Sequence, residues 1–518
     1  MSFVAAAGMG PAPGRRLPLV VELAFVAALG AAQTLAFVHT AFWPVQFVAI
    51  SLLAWRVGRA SPGRAALLGY TFGTAWLAAG TWWMFVSMHR YGGLPAWLAA
   101  LAVFALCSFL SLYLAAAMAA VARWRSRPPL AAAALFAAMW LIAELARGVI
   151  FTGFPWVASG YAHIDSPFGG YAAWIGVYGA GSIVAGVAAA FGFSRLGLSR
   201  AWIRPGVLLF VALGLGALAG RVDFTRPTGS ISITLLQGNV AQEEKFSARF
   251  VPQALASTAA QLEAARGDLV VGPETVIPLL PSQLDRAWWQ SLLARFRQPG
   301  RAAIIGLPLG DEAAGYTNSA AGISAATAAL SDGFYRYDKH HLVPFGEFIP
   351  SGFRWFTRLM NIPLGDFNRG PVTAPSFAVK GERVAPNICY EDLFGEELAA
   401  RFVPEETAPT ILANISNIGW FGETIAVAQH LEISRMRTLE LQRPMIRATN
   451  TGATAVIDHR GVVAKSLPPF TRGTLDANVE GRSGLTPFAV WAGRFGLWPL
   501  FAVGAATLLV AVARRRRP

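Results

Sequence analysis

The chain has 518 residues, 54% of them hydrophobic and only 14% charged, and it carries a formal net charge of +14. About 25% charged residues is usual for a soluble domain, so a disordered chain, a coiled coil, a disulfide scaffold and a wholly soluble protein are excluded. The basic excess needs no nucleic-acid groove: residues 221–492 hold 25 Lys and Arg against 26 Asp and Glu, whereas the apolar remainder holds 18 against three.

From the N-terminus, apolar stretches long enough, or nearly so, for ~30 Å of hydrocarbon are predicted at 17–37, 38–55, 66–88, 95–122, 129–147, 169–193 and 203–220. An eighth, 495–513, stops at Arg514, Arg515, Arg516 and Arg517. Eight spans put both termini on one side. Arg15, Arg16, Arg56, Arg59, Arg64, Arg123, Arg125, Arg127, Arg195, Arg200 and Arg204 fall on that same side. The positive-inside rule makes it cytoplasmic. Trp82, Trp83, Tyr91, Trp156, Tyr161, Trp174 and Tyr178 gather near the other face, where an interfacial aromatic belt is expected. The chain thus divides into a seven-helix region over 1–220, an outer domain over 221–492, and a last helix with a basic tail over 493–518. Within the outer domain, strands predicted at Ile231–Leu236, Leu269–Val271, Ala302–Leu307, Arg383–Ile388 and Thr410–Ile415 are interspersed with helices at Gln253–Ala265 and Thr424–Leu441. That pattern is α/β.

The two cysteines are Cys107, inside the fourth span, and Cys389. They cannot pair, and on count alone Cys389 is either a reactive thiol or a buried small apolar residue. Its setting favours reactivity. Val384-Ala-Pro-Asn-Ile-Cys-Tyr-Glu-Asp392 is a short strand running into a polar turn, which exposes a nucleophile and leaves the Tyr390 N–H to face an oxyanion. The chain has four lysines against 39 arginines. A retained lysine therefore marks a need for a compact ammonium, and Lys339 stands in an aromatic-rich stretch ending Leu342-Val-Pro-Phe-Gly-Glu-Phe348. Glu274, in Gly272-Pro-Glu-Thr, follows a predicted strand at its C-terminal end, where α/β sheets place their sites. No histidine or cysteine spacing suits zinc.

Together these three segments resemble the nitrilase superfamily of carbon–nitrogen hydrolases, whose triad is Glu, Lys and Cys in this chain order. The span layout, with Gln237-Gly-Asn239, Asn414-Ile-Ser-Asn417, Trp420, Gln429-His430, Arg435–Glu440 and Thr449-Asn-Thr-Gly452, is similar to the membrane-embedded apolipoprotein N-acyltransferase family. The resemblance implies an α-helical transmembrane bundle of eight spans plus an α/β, nitrilase-like αββα sandwich. It further implies a multi-pass protein of the bacterial inner membrane, with cytoplasmic termini and a periplasmic catalytic domain. The implied partners are a phospholipid acyl donor, an S-diacylglyceryl apolipoprotein acceptor and the bilayer, with no nucleic acid, cofactor or metal. By the same resemblance Glu274 is the base, Lys339 the charge stabiliser and Cys389 the nucleophile that carries a thioester. Tyr390 contributes to the oxyanion site, and Glu347 and Glu391 support the triad. Phe246, where the family usually has Trp, and Trp420 meet substrate. The aromatic stretch Phe353–Ile362 is expected as an interfacial lid. Two other readings stand beside this one: a membrane-tethered amidase of the same superfamily, and a non-catalytic polytopic transporter or scaffold.

Overall fold

Alternating apolar side chains set the strands, and in the computed structural model these assemble into two sheets. The structure describes residues 18–126, 128–194, 199–350, 352 and 366–516. The strands are β1 (Arg226–Gln237), β2 (Leu269–Val271), β3 (Ala302–Asp311), β4 (Gly315–Ser324), β5 (Tyr335–Asp338), β6 (Phe377–Val379), β7 (Glu382–Ile388), β8 (Ile411–Ser416), β9 (Met445–Thr449), β10 (Ala455–Ile457), β11 (Val463–Ser466) and β12 (Gly473–Ser483). One sheet has the order β12-β1-β2-β3-β4-β5 and the other β11-β10-β9-β8-β7-β6. The central trios β1-β2-β3 and β7-β8-β9 are parallel, and antiparallel strands flank them.

Period-two alternation sends neighbouring residues to opposite faces. Ile233, Leu235, Val271 and Ile304 face Val384, Ile388, Ile415 and Ile446 across the gap between the sheets. Their neighbours Leu236, Val270, Ala303 and Ile305 pack outward on helices Val251–Ala264 and Arg286–Phe296. On the far side Ala385, Leu412 and Met445 pack on helices Gly395–Ala400, Ala426–Leu441 and Pro487–Phe495. Four layers result, in the order αββα. The structure extends the predicted strand at Ala302–Leu307 to Asp311 and pairs it with β4, which its run of small residues concealed.

Among the described residues six helices are long and apolar enough to cross a membrane: Leu19–Val38, Thr40–Val57, Ala96–Trp124, Pro129–Thr152, Pro167–Phe193 and Trp498–Arg515. This falls short of the expected eight. Ile203–Ala219 is apolar but only 17 residues long, about 26 Å at 1.5 Å per residue. Pro62–Thr81 has the length but dilutes its apolar content with glycines, threonines and Arg64. Its glycines serve close packing instead: a Cβ at Gly69 would lie 2.8 Å from the Leu114 carbonyl, and one at Gly73 2.9 Å from the Ser111 hydroxyl. Small residues at such spacing let helix backbones approach without a hydrophobic driving force.

Helix Ala426–Leu441 joins the sandwich to these helices. Gln429 Oε1 accepts hydrogen bonds from the indoles of Trp83 (3.0 Å) and Trp156 (2.9 Å), and its amide donates to the Gly80 carbonyl (2.9 Å). The Tyr390 hydroxyl donates to the Gly153 carbonyl (3.0 Å). Helix Ala172–Phe193 breaks at Gly176, which has φ +68°, and the freed Val177 N–H donates to Glu440 Oε1 (2.7 Å). Trp83, Trp156, Tyr161 and Tyr178 are buried in this seam, which corrects the expectation that they lie in an aromatic belt. The indoles of Trp83 and Trp156 and the Tyr161 hydroxyl find partners in the sandwich domain, where a belt residue would use headgroups and water. Trp82, 45% exposed, keeps the outward orientation. The expected lid, Phe353–Ile362, lies outside the described residues.

Candidate active site

Glu274 is delivered by the turn that follows β2. That turn lies directly on β3, because position 306 is glycine: a Cβ there would come within 2.4 Å of the Pro273 carbonyl and 2.8 Å of Glu274 Cα. Lys339 is the first residue after β5, and its N–H still donates to the Asn318 carbonyl on β4 (2.9 Å). This register carries its side chain inward to Glu347 Oε1 (2.9 Å) and Glu274 Oε1 (3.4 Å), with 1% of the lysine exposed. The Asn318 amide donates to both carboxylates, at 2.7 Å to Glu274 and 2.6 Å to Glu347. Glu274 Oε2 accepts the Asn417 N–H (2.8 Å), and Glu347 Oε2 accepts the Val343 N–H (2.8 Å). Two carboxylates, one ammonium and one amide thus form a closed, buried cluster.

Cys389 follows β7 directly. Parallel pairing of Ile388 with Ile415 brings Ser416, at the end of β8, alongside it. The residue adopts φ +52°, a left-handed conformation that costs of order 1–3 kcal/mol unless its surroundings hold it. Burial, then the Glu274 charge, pushes its thiol up to about 12, although Lys339 and the Ser416 hydroxyl favour the thiolate. Burial also works against charge on Glu274, but Lys339, Lys245 and the Asn318 amide hold this carboxyl below its usual range. Burial works against the charge on Lys339, but Glu347 and Glu274 outweigh it and hold the ammonium above its ordinary value. The resting site is therefore a neutral thiol beside a carboxylate and an ammonium. It suits proton transfer from sulfur to Glu274 as a bond to carbon forms.

Glu391 does not touch Lys339. Its carboxylate accepts the N–H groups of Ile388 (2.6 Å), His340 (2.7 Å) and His341 (3.2 Å) and the Tyr337 hydroxyl (2.7 Å). It clamps the backbone ahead of Cys389 to the backbone after Lys339. Tyr390 turns its ring toward the membrane helices. Phe246 ends the short helix Gln242–Lys245, half-buried. Trp420, also half-buried, sits edge-on to Tyr91 at 5.9 Å. Both rings belong to segments tied to Glu274, one through the Lys245 ammonium on the Glu274 carbonyl (2.8 Å) and one through Asn417.

Sequence reasoning missed Asn318, Lys245 and the Asn417 N–H. Asn318 lies within a strand of small residues that carries no local signal. Lys245 carried one: the scarcity of lysine that singles out Lys339 applies to it equally. It is buried, and burial brings its ammonium down to about 8 against the opposing charges of Glu274 and Cys389.

Two family models match the chain, the apolipoprotein N-acyltransferase N-terminal domain over residues 29–190 and carbon-nitrogen hydrolase over residues 233–487. Apolipoprotein N-acyltransferase of Verminephrobacter eiseniae is 50% identical, over 92% of each chain. That of Ralstonia nicotianae is 45% identical, over 98% of this chain and 95% of the relative. The Chromobacterium violaceum protein of the same name is 37% identical, over 95% and 94%. These matches span more than nine-tenths of the chain, and the chain belongs to the apolipoprotein N-acyltransferase family.

Proposed function

We propose that this chain transfers an acyl group from a phospholipid to the α-amine of the S-diacylglyceryl cysteine that begins an apolipoprotein, through a thioester on Cys389. The observation that carries the chemistry is the buried cluster of Glu274, Lys339, Glu347 and Asn318, set electrostatically against a thiol in a domain seated on membrane helices. Glu274 takes the thiol proton as sulfur attacks the ester carbonyl. Lys339 and the Tyr390 N–H stabilise the tetrahedral oxyanion. Collapse breaks the ester C–O bond, and Glu274 returns the proton to the departing lysophospholipid oxygen. The α-amine then attacks the thioester, Glu274 removes one of its protons, and the sulfur leaves with that proton as the thiol is restored. One ester and one amine become one amide and one hydroxyl. A single nucleophile serving two substrates gives ping-pong kinetics.

The membrane helices are needed because both substrates carry acyl chains. At about 0.8 kcal/mol per CH₂, lifting some fifteen methylenes into water costs on the order of 12 kcal/mol. A site held at the bilayer surface takes them laterally. Incubation with phospholipid alone should add the mass of one acyl chain to the intact protein, and no added mass under conditions that support turnover would sink the thioester.

In this reading all eight apolar helices cross the membrane. Seven belong to residues 1–220 and one to 493–518, the domain over 221–492 faces the periplasm, and both termini are cytoplasmic. Single cysteines placed at 56–64 and 123–127 should resist impermeant thiol reagents in intact cells, whereas those at 281–286 should react. Labelling in the opposite pattern would invert the orientation.

A further inference from the structure

On helix Ala426–Leu441 two adjacent residues do different work. Gln429 grips the tips of the membrane helices through Trp83, Trp156 and Gly80. His430, fully buried, reaches the nucleophile. Its Nε2 lies 3.2 Å from the Cys389 carbonyl and 3.1 Å from Asp392 Oδ1, and its Nδ1 lies 3.0 Å from a guanidinium nitrogen of Arg447. A guanidinium only donates. Nδ1 must therefore accept, and the ring proton sits on Nε2, directed at the Cys389 carbonyl and the Asp392 carboxylate. Arg447 also meets Asp392 Oδ2 (3.2 Å), so the buried charges balance around the ring. One face of the imidazole is covered by Trp156, from the membrane-helix side, with ring centroids 5.7 Å apart and an interplanar angle of 11°.

The carbonyl that His430 reaches belongs to the residue with the left-handed backbone. Cys389 at φ +52° needs restraint. Two side chains reach its carbonyl, His430 through Nε2 and, at a longer 3.4 Å, Asn414 through its amide. We infer that His430 is a positioning residue whose Nε2–H holds the Cys389 carbonyl while Trp156 holds its ring, so that the membrane helices set the geometry that aims the nucleophile at Glu274 and Lys339. This rests on the reading of Cys389 as the nucleophile.

The test uses the full-length enzyme in lipid nanodiscs, carrying Cys107→Ala so that one thiol remains. The rate of Cys389 alkylation by iodoacetamide reads the nucleophile without any acyl transfer. Turnover of phospholipid with a diacylated lipopeptide supplies kcat and KM. His430→Leu should slow alkylation and lower kcat at least 30-fold, with KM for both substrates within threefold of the parent. His430→Gln, whose amide N–H can replace the Nε2 donor, should regain at least tenfold of each loss. Trp156→Leu should slow alkylation at least fivefold, and Trp156→Phe less than twofold. Alkylation by the His430→Leu enzyme within threefold of the parent would overturn the inference, as would a Gln variant no faster than Leu. If the Leu variant fails to fold, an unchanged rate in Trp156→Leu overturns it. Slowed alkylation in a protein that never forms an acyl adduct would leave the positioning role standing and remove the thioester.

Discussion

Cys389→Ala should abolish both the acyl adduct and N-acylation of a lipopeptide, while Cys107→Ala leaves both within about twofold of the parent. The first change removes the sulfur that the β7 turn presents to the Glu274–Lys339 pair. No neighbouring group can replace it: Ser416 is a hydroxyl, far harder to ionise than a thiol already pushed up to about 12. For the same reason Cys389→Ser should retain well under 1% of the rate, since an alkoxide is disfavoured further in a buried site beside a carboxylate. Cys107 lies buried among apolar side chains within helix Ala96–Trp124, with the Thr81 hydroxyl 3.8 Å from its sulfur. Intact mass before and after hydroxylamine decides the matter. A hydroxylamine-sensitive adduct that persists in Cys389→Ala would place the thioester elsewhere.

Without an acceptor, the enzyme should release about one lysophospholipid per active site and then nearly stop. A thioester kept for a bulky lipoprotein must survive among ~55 M water, which requires a site that hinders water's attack. The cluster is built for this: Lys339, Glu274 and Glu347 are buried, and their hydrogen-bonding capacity goes to each other, to Asn318 and to backbone N–H groups. A diacylated lipopeptide with a free α-amine should restart turnover, and N-acetylation of that amine should prevent the restart. Glu274→Gln should remove the burst itself, lowering the acylation rate by three orders of magnitude or more, because one base serves both half-reactions. Steady fatty-acid release that the lipopeptide does not alter would identify a tethered hydrolase instead.

The sequence disclosed the parts of this molecule whose cause is local. β2 is a continuous apolar run and β7 and β8 are largely apolar, and their C-terminal ends lead into Glu274, Cys389 and Asn417 within three residues. Lys339 stood out through the scarcity of its kind. What stayed hidden depends on segments far apart in the chain. Asn318 bridges two carboxylates that arrive from 44 residues before it and 29 after it, so nothing in its own strand marks it. The buried seam misled for the same reason. Trp83 and Trp156 have the composition and position of interfacial residues, and only the arrival of Gln429, 346 and 273 residues later, takes them away from lipid. The shortfall in spans has a local cause: 17 residues, or glycines set for packing, weaken a hydropathy signal without preventing a helix.

The break at Gly176 bears on how such a protein is inherited. The Val177 amide has its acceptor not one turn back but on Glu440, whose other oxygen pairs with Arg437 at 3.0 Å. A side chain at position 176 would meet the Phe488 ring at 2.5 Å. Gly176 and, more than 260 residues further along the chain, Glu440 and Phe488 thus form a single fitted joint. A foreign hydrolase domain spliced onto these helices would leave an amide without its acceptor, and the sandwich cut free would expose a carboxylate shaped for a helix no longer there. A buried amide left without its acceptor costs roughly 1–3 kcal/mol, a sizeable fraction of the about 5–15 kcal/mol by which domains stay folded. Exchanging either half alone therefore carries a stability cost, which favours inheritance of the two together.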